Sequence, residues 1–385
     1  MHLLETYSNN VGVSLADTPV PPVEKFFPIE GKYITFQASS GFGSKNYPYY
    51  AEVIQYIKGV LNKEGINIVQ VGLKGDADIG SNINLTGKTS FSQACYVIKN
   101  SICHIGNDSV WVHVANSYGK NIVCLFGSTL PKVSGPYFDN AKIKILESHR
   151  NGLKASLSLE DPNNAISLIN PEDVANSIFE VLDINNKIQI KTHKVGALFN
   201  SPFLEVDLST ETLININPDI QLNLRFDWHM DLDLAFRLAQ QHNISIVTDK
   251  KIDFGFLNLV KSKVSQILFE INSQDIDINY IKGLYSYGKA HVISDLKDKE
   301  LSDLKLKLFD YFAVAPKIEN LEPIKKEGLF FKNNGGIISG DKKYPTKWHL
   351  DNKIYSESGE YEVPDTEDKT FWLYKEFLHF YEKTV

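Results

Sequence analysis

The sequence predicts an α/β protein in two parts: a mainly parallel sheet covered on both faces, then a second α/β or α+β domain. Three observations lead there. Short β-branched runs alternate with segments of helical spacing. Turns rich in glycine and serine follow several of the runs. Near residues 186–194 the alternation stops, and then it restarts.

The elements read in order. Residues 1–30, with Pro19, Pro21, Pro22 and Pro28, are expected to form an extended lead-in to a domain spanning 31–186. Tyr33-Ile34-Thr35-Phe36 is a strand feeding the turn Ser39-Ser40-Gly41-Phe42-Gly43-Ser44. Residues 48–62 place Val53, Ile54, Ile57, Val60 and Leu61 at helical spacing, with Pro48 suited to the first turn. Residues 66–71 make a β-branched strand. Thr89 or Ser90 caps a helix running to about Asn100, and strands at 102–105 and 121–126 flank a helix at 109–118. Asn170-Pro171-Glu172-Asp173 opens a helix to Leu182, with a capping residue, a proline at the first position and acids in the first turn.

A second domain, 195–385, alternates again. Helix 228–242 precedes strand 244–248, strand 266–271 precedes helix 275–286, and strand 290–293 precedes helix 298–310 and Phe312-Ala313-Val314. The last 60 or so residues mix charges with aromatics, among them Trp348, Tyr355, Tyr361, Phe371, Trp372, Tyr374, Phe377 and Phe380. Strands alternating with helices give parallel sheets whose ligands bind beyond the carboxyl ends of the strands.

Composition narrows the class. Apolar residues make up 43% of 385 and aromatics 11%, a balance typical of packed domains. The formal net charge of −7 is spread along the chain, giving no footprint for nucleic acid or an anionic membrane. Residues 1–10 lack the basic start and apolar run of a secretory signal, and no apolar stretch approaches the roughly 18 residues that span a bilayer. Cys95, Cys103 and Cys124 fall in apolar segments without a C-x-x-C pair and read as reduced core thiols rather than zinc ligands. A cytosolic protein without a transmembrane segment is expected.

Three loops at strand ends carry the chemistry. In Ser39–Lys45, glycines let backbone N–H groups approach an anion, Ser39 and Ser40 add hydroxyls and Lys45 adds a positive charge. Gly106-Asn107-Asp108-Ser109 stands before a helix, whose unpaired N–H groups and partial positive charge suit a pyrophosphate. Asp108 and Ser109 are equally good caps, and His113, one turn along, reads also as an ordinary helix histidine. The third loop, Phe126-Gly127-Ser128-Thr129-Leu130-Pro131, is by itself only a turn.

Taken together, Gly87-Lys88-Thr89-Ser90, then Gly106-Asn107-Asp108-Ser109-Val110-Trp111-Val112-His113-Val114-Ala115, then Leu125-Phe126-Gly127-Ser128-Thr129 resemble the donor-binding half of the heptosyltransferase-type, family nine glycosyltransferases. Lys45 with Tyr47-Pro48 is similar to that family's phosphate loop, and helix 171–182 resembles its closing helix. The resemblance covers about half the chain. It implies a Rossmann-like lobe and an inverting, metal-independent transfer of a sugar from a nucleotide-diphosphate sugar, without a cofactor. Lys45 and Asp108 would carry catalysis. Ser39, Ser40, Asp76, Asn107, Ser109, His113, Gly127 and Thr129 would contact donor or phosphates, with Asp76 or Asp78 on the ribose. The acceptor class it implies is a glycan or lipopolysaccharide-like surface polymer. Val110 departs from the family, which has glycine there.

His2-Leu3-Leu4-Glu5 and Gly12-Val13 resemble the segment that ends the family's first, acceptor-binding domain, which also supplies its general base. The acceptor lobe is therefore expected from the second half or from a separate polypeptide. A nucleotide-sugar-binding module without a base, and a sugar-nucleotide epimerase, are the other readings. In the second half Asp227, Trp228, His229, Asp231 and Asp233 cluster at a helix start, where acids are expected anyway. Glu205 and Asp207 are further carboxylates there, and Trp348-His349 and Trp372 are candidates to stack on sugar rings or to close a core. For an active transferase, Lys45→Ala and Asp108→Ala are expected to abolish sugar transfer while the melting temperature stays nearly unchanged; a large loss of stability on Asp108→Ala would instead favour a capping role.

Overall fold

The computed structural model describes residues 1–15, 20–26, 29–159, 161, 165–195, 204–210, 216, 220–271, 277–294, 296, 298–308, 313–316, 328–331, 336–364 and 378–383. Phe371, Trp372, Tyr374 and Phe377 lie outside them. The chain divides into two compact units, Met1–Thr192 and His193–Lys383.

In the first unit β1 (Lys32–Gln37), β2 (Ile66–Gln70), β3 (Ile83–Asn84), β4 (Cys103–Asn107), β5 (Asn121–Phe126) and β6 (Ile143–Glu147) form one sheet in the order β3-β2-β1-β4-β5-β6. Each of its pairings is parallel; Ile34, for example, lies between Ile68 and Cys103. The chain steps outward from β1 to β3 and then returns to place β4 on the other side of β1. That reversal is the switch point at which open α/β sheets leave a crevice beyond the strand ends.

Both faces are buried, which is why the strands read as apolar runs. On one face Ile34, Phe36 and Ile105 pack against Val53, Ile54 and Ile57 of α2 (Tyr50–Lys63) and Val174, Ile178 and Phe179 of a later helix, Pro171–Val181. On the other, Val69, Cys124 and Phe126 meet Cys95 and Ile98 of α3 (Phe91–Lys99) and Val112 and Ala115 of α4 (Val110–Ser117). Ser90 caps α3 through a capping box with Gln93.

Several expectations need correction. Residues 3–11 are not extended: Leu3–Val11 forms α1. His2 accepts the Leu4 N–H, Glu5 returns the bond to the His2 N–H, and Gly12 ends the helix at φ 69°. Strands β3 and β6 have no clear sequence signal, because β3 spans two residues and β6 is an edge strand with part of its surface exposed. Helix Pro171–Val181 has proline in its first turn as expected, but Asn170 does not cap it; its side-chain amide donates to the Thr192 carbonyl.

The second unit has its own sheet. β8 (Leu204–Val206), β9 (Leu222–Arg225), β10 (Ile244–Thr248), β11 (Val264–Ile271), β12 (Lys289–Ser294) and β13 (Ala313–Pro316) lie side by side in chain order, all parallel; β7 (Ile190–Val195) precedes them. Helices 232–241, 254–260, 278–284 and 298–307 connect β9 to β13. Phe226, Ile246, Leu257 and Val292 centre its core.

Candidate functional site

The loops after β1, β4 and β5 meet at the switch point of the first sheet. A 3-10 turn, Gly43–Lys45, aims Lys45 across the crevice, and its ammonium lies 2.7 Å from Oδ2 of Asp108. The same oxygen accepts the hydroxyls of Thr129, at 2.7 Å, and Ser134, at 3.2 Å. Asp108 is 4% exposed. A carboxylate so removed from water is tolerable only with such partners. Its other oxygen has no partner among the described residues.

Ser109 stands at the N-cap of α4, yet its side chain does not cap the helix. Its hydroxyl turns instead to the Gln37 side-chain carbonyl, 2.9 Å away. The first-turn N–H groups of α4 are thus left without a side-chain acceptor, beside a lysine. This is an anion-binding arrangement.

Most of the remaining candidates bond within their own loops or across the sheet. Asn107 is fully buried, donates to the Ala38 carbonyl and accepts the Tyr50 hydroxyl, so it clasps β4 to β1 and α2. Ser40 spends its hydroxyl within its own turn, on the Phe42 backbone, while its N–H donates to Asn46. Ser39 is half-buried, with no hydrogen bond to another described residue. Asp76 folds its carboxylate inward to accept the Leu73 N–H, and a Cβ on Gly72 would strike it. Asp78 accepts the Gly80 N–H. Each carboxylate thus accepts a backbone N–H of its own loop. Gly127 is a packing glycine, since a Cβ there would sit 2.4 Å from Ile166. Gly41, by contrast, has open space around it.

His113 lies on the wall of a cavity of about 470 Å³ between α1, α4 and residues 134–138. Burial draws its pKa below 6.5, with Asp108 opposing the shift and His2 and Lys45 adding to it.

Sequence reasoning missed two supports. Arg150, held at φ 50°, donates to the carbonyls of Gly127 and Thr129 and pairs with Glu147 at 2.8 Å. Ser44, buried below the lysine, donates to the Ser158 carbonyl and accepts from Ser128. No local motif marks either, because each acts across loops far apart in sequence.

The second unit's acidic cluster is structural where it is described. Arg225 pairs with Glu205 at 3.0 Å and Asp227 at 2.6 Å, under the Trp228 ring at 3.8 Å. Asp231 caps helix 232–241, while His229 and Asp233 are exposed. Asp207 accepts the hydroxyls of Ser209 and Ser339. His349 is buried among Phe331, Trp348 and Tyr361, a core role rather than a sugar platform.

Among the described residues no group of three or more His, Cys, Asp or Glu side chains is placed to hold a metal, and no helix is long and apolar enough to cross a membrane. The three cysteines are free thiols, and burial raises the pKa of each.

Residues 13–162 match the model of glycosyltransferase family 9 (heptosyltransferase). Lipooligosaccharide heptosyltransferase 2 of Haemophilus influenzae is 28% identical over 130 residues, which are 30% of this chain and 36% of that protein. Lipopolysaccharide heptosyltransferase 2 of Salmonella typhimurium is 25% identical over 167 residues, 40% of this chain and 47% of that protein. The family 9 glycosyl transferase of Veillonella parvula, a solved structure, is 22% identical with a TM-score of 0.34, over 46% of this chain and 49% of that one. The chain thus spans under half the length of the curated relatives it matches.

Proposed function

We propose that the heptosyltransferase-like first unit binds a nucleotide-diphosphate sugar, and that the protein transfers its sugar, with inversion and without a metal, to a glycan or lipopolysaccharide-like acceptor. The observation that carries this reading is the convergence of Lys45, Asp108, Thr129 and Ser134 on the uncapped start of α4, at the switch point of a parallel sheet.

Each group has a part. The α4 N–H groups and Lys45 would receive the pyrophosphate and stabilise the charge that grows on it as the sugar departs. Asp108 does not bind phosphate directly, being itself an anion. It fixes the ammonium and two hydroxyls toward the leaving group, and its unpartnered oxygen can accept a sugar hydroxyl. Ser39 adds a hydroxyl at the rim. The acceptor lobe is supplied by the second unit or by another polypeptide.

The test is thermal denaturation of the full chain against a panel of nucleoside diphosphates and their sugars. A ligand at 100 times its dissociation constant adds about 2.7 kcal/mol. Stabilisation by one diphosphate and its sugar, followed by transfer to an acceptor, is expected. Stabilisation with no transfer to any acceptor would favour a binding module instead, and inversion at the sugar without an acceptor would point to an epimerase.

A further inference from the structure

We infer that a cavity beside Tyr355, in the second unit, holds a sugar ring of a glycan, with Tyr355 as the stacking face and the Tyr344 hydroxyl and Glu357 carboxylate as polar contacts. The site stands apart from the donor reading, because such binding needs no nucleotide.

The cavity measures about 290 Å³, the lower end of the range for ligand pockets. Phe331, the end of strand Lys342–Tyr344 and the loop between Tyr355 and Tyr361 make its wall. The loop is shaped before any ligand arrives. The Tyr361 hydroxyl accepts the Ser356 N–H at 3.0 Å and donates to the Lys343 carbonyl at 3.1 Å. The Tyr361 carbonyl accepts the Phe331 N–H, and Gly359, at φ 73°, closes the turn onto the Ser356 carbonyl. Tyr361 is therefore part of the framework.

Three side chains on the wall take no part in that framework. Tyr355 is 43% exposed, in a segment whose Tyr344, His349 and Tyr361 are buried. Its ring meets Tyr344 edge-on, 6.0 Å between centroids, and the Lys342 ammonium at 5.2 Å. Lys342 is exposed, so it can swing aside at little cost. Tyr344 is 7% exposed, yet its hydroxyl has no hydrogen bond with another described residue. Tyrosine hydroxyls this deep normally have a partner. Glu357 is exposed on the wall and has neither a hydrogen bond nor an ion pair with another described residue.

A sugar ring matches this set. Its C–H face is apolar and packs on an aromatic ring, while its hydroxyls both donate and accept. The Tyr344 hydroxyl can do either, and the Glu357 carboxylate accepts only. An apolar ligand would instead cover Glu357 without giving it a donor, which is unfavourable. Lys343 on the wall and Lys342 beside Tyr355 also suit a ring that carries an acidic group.

The test is saturation-transfer NMR on the full chain with methyl glucoside, methyl galactoside and glucuronic acid as probes, at concentrations suited to a dissociation constant of about 1 mM. Saturation of the ring C–H protons of at least one probe is expected. Tyr355→Ala is expected to weaken binding about tenfold, the loss of an aromatic contact, while Tyr355→Phe keeps most of the affinity because it keeps the ring. Tyr344→Phe should cost about three- to tenfold, the loss of one hydrogen bond. Because Tyr355 is exposed, Tyr355→Ala should leave the melting temperature and any nucleotide-induced shift unchanged. A stronger signal from glucuronic acid would mark an acidic ring and an equal one a neutral ring, both within the proposal. No saturation transfer from any probe, or transfer that Tyr355→Ala leaves unchanged, would overturn the assignment. Failure of every nucleotide to stabilise the chain would sink the donor reading and leave this site standing.

Discussion

Lys45 and Asp108 lie 63 positions apart in the chain, yet their side chains meet at 2.7 Å, with Thr129 and Ser134 on the same carboxylate oxygen. Three donors from two other loops thus depend on one nearly buried acceptor. This makes Asp108 a structural as well as a chemical residue. Asp108→Ala strips all three of their partner and leaves the lysine, 18% exposed, without its counter-charge. Breaking a buried pair from one side costs on the order of 3–5 kcal/mol. A clear fall in melting temperature is expected, contrary to what a purely substrate-contacting Asp108 would give. Asp108→Asn, which keeps the shape, should lose less stability while still losing nucleotide-induced stabilisation. An unchanged melting temperature for Asp108→Ala would show the pair to be ornamental.

The two glycines at the loops separate packing from ligand approach. At Gly127 an added Cβ meets Ile166 at 2.4 Å, including its backbone nitrogen at 2.6 Å, so the loop itself must shift. Gly127→Ala should cost about 1–3 kcal/mol, the range for overpacking. At Gly41 an added Cβ would meet nothing within 4 Å, so Gly41→Ala should leave the urea midpoint nearly unchanged. If the loop closes on an anion, that same variant weakens nucleotide binding. Equal stability losses at both glycines would contradict this division.

Arg150 should behave as a brace rather than a surface charge. Its guanidinium bonds two carbonyls of the Gly127–Thr129 loop and the Glu147 carboxylate at once. Hydrogen bonds involving a charged group contribute about 1.5–3 kcal/mol each, less when they share a donor. Arg150→Ala is expected to cost about 2–3 kcal/mol in chemical denaturation and to weaken nucleotide binding through Thr129. Arg150→Lys should recover only part, because a single ammonium cannot present the same planar fork. Full recovery by lysine would reduce the role of Arg150 to charge alone.

The sheet was largely legible because its strands carry β-branched and aromatic residues between turn signals, β5 as the unbroken run Ile122-Val123-Cys124-Leu125-Phe126, and because Ser90 and Pro171 mark helix starts by local chemistry. The lysine and aspartate of the site were legible as members of their loops. Their pairing was not, since no local pattern reports a contact formed only when β4 returns beside β1. α1 was missed for a related reason: its cap is a histidine, not one of the usual Ser, Thr, Asp or Asn, and it buries no residue that would mark a core-facing stripe. Asn107 and Gly127 carry the right residue types for ligand contact, but the same properties serve a buried clasp and a tight packing point.

His104 gives the first unit a titration of its own. It is fully buried in β4, with Nδ1 bonded to the Thr35 hydroxyl at 3.0 Å and Nε2 without a partner, and desolvation lowers its pKa to about 3. The unfolded chain takes up this proton near pH 6.5, while the folded chain resists it down to about 3. Between those values the unfolded state binds more protons, so stability rises with pH and is complete above about 6.5. At pH 5 the penalty from this group is about 2 kcal/mol, at 1.36 kcal/mol per pH unit below the unfolded value. Urea unfolding of the wild-type chain should therefore weaken markedly from pH 7 to 5. A His104→Phe variant, whatever its own stability at pH 7, should lose about 2 kcal/mol less over that interval. The charged and titratable groups elsewhere remain in both proteins, so the difference between the two slopes isolates this imidazole. Identical slopes would mean that His104 takes up its proton in the folded state, through an opening of β4 toward solvent.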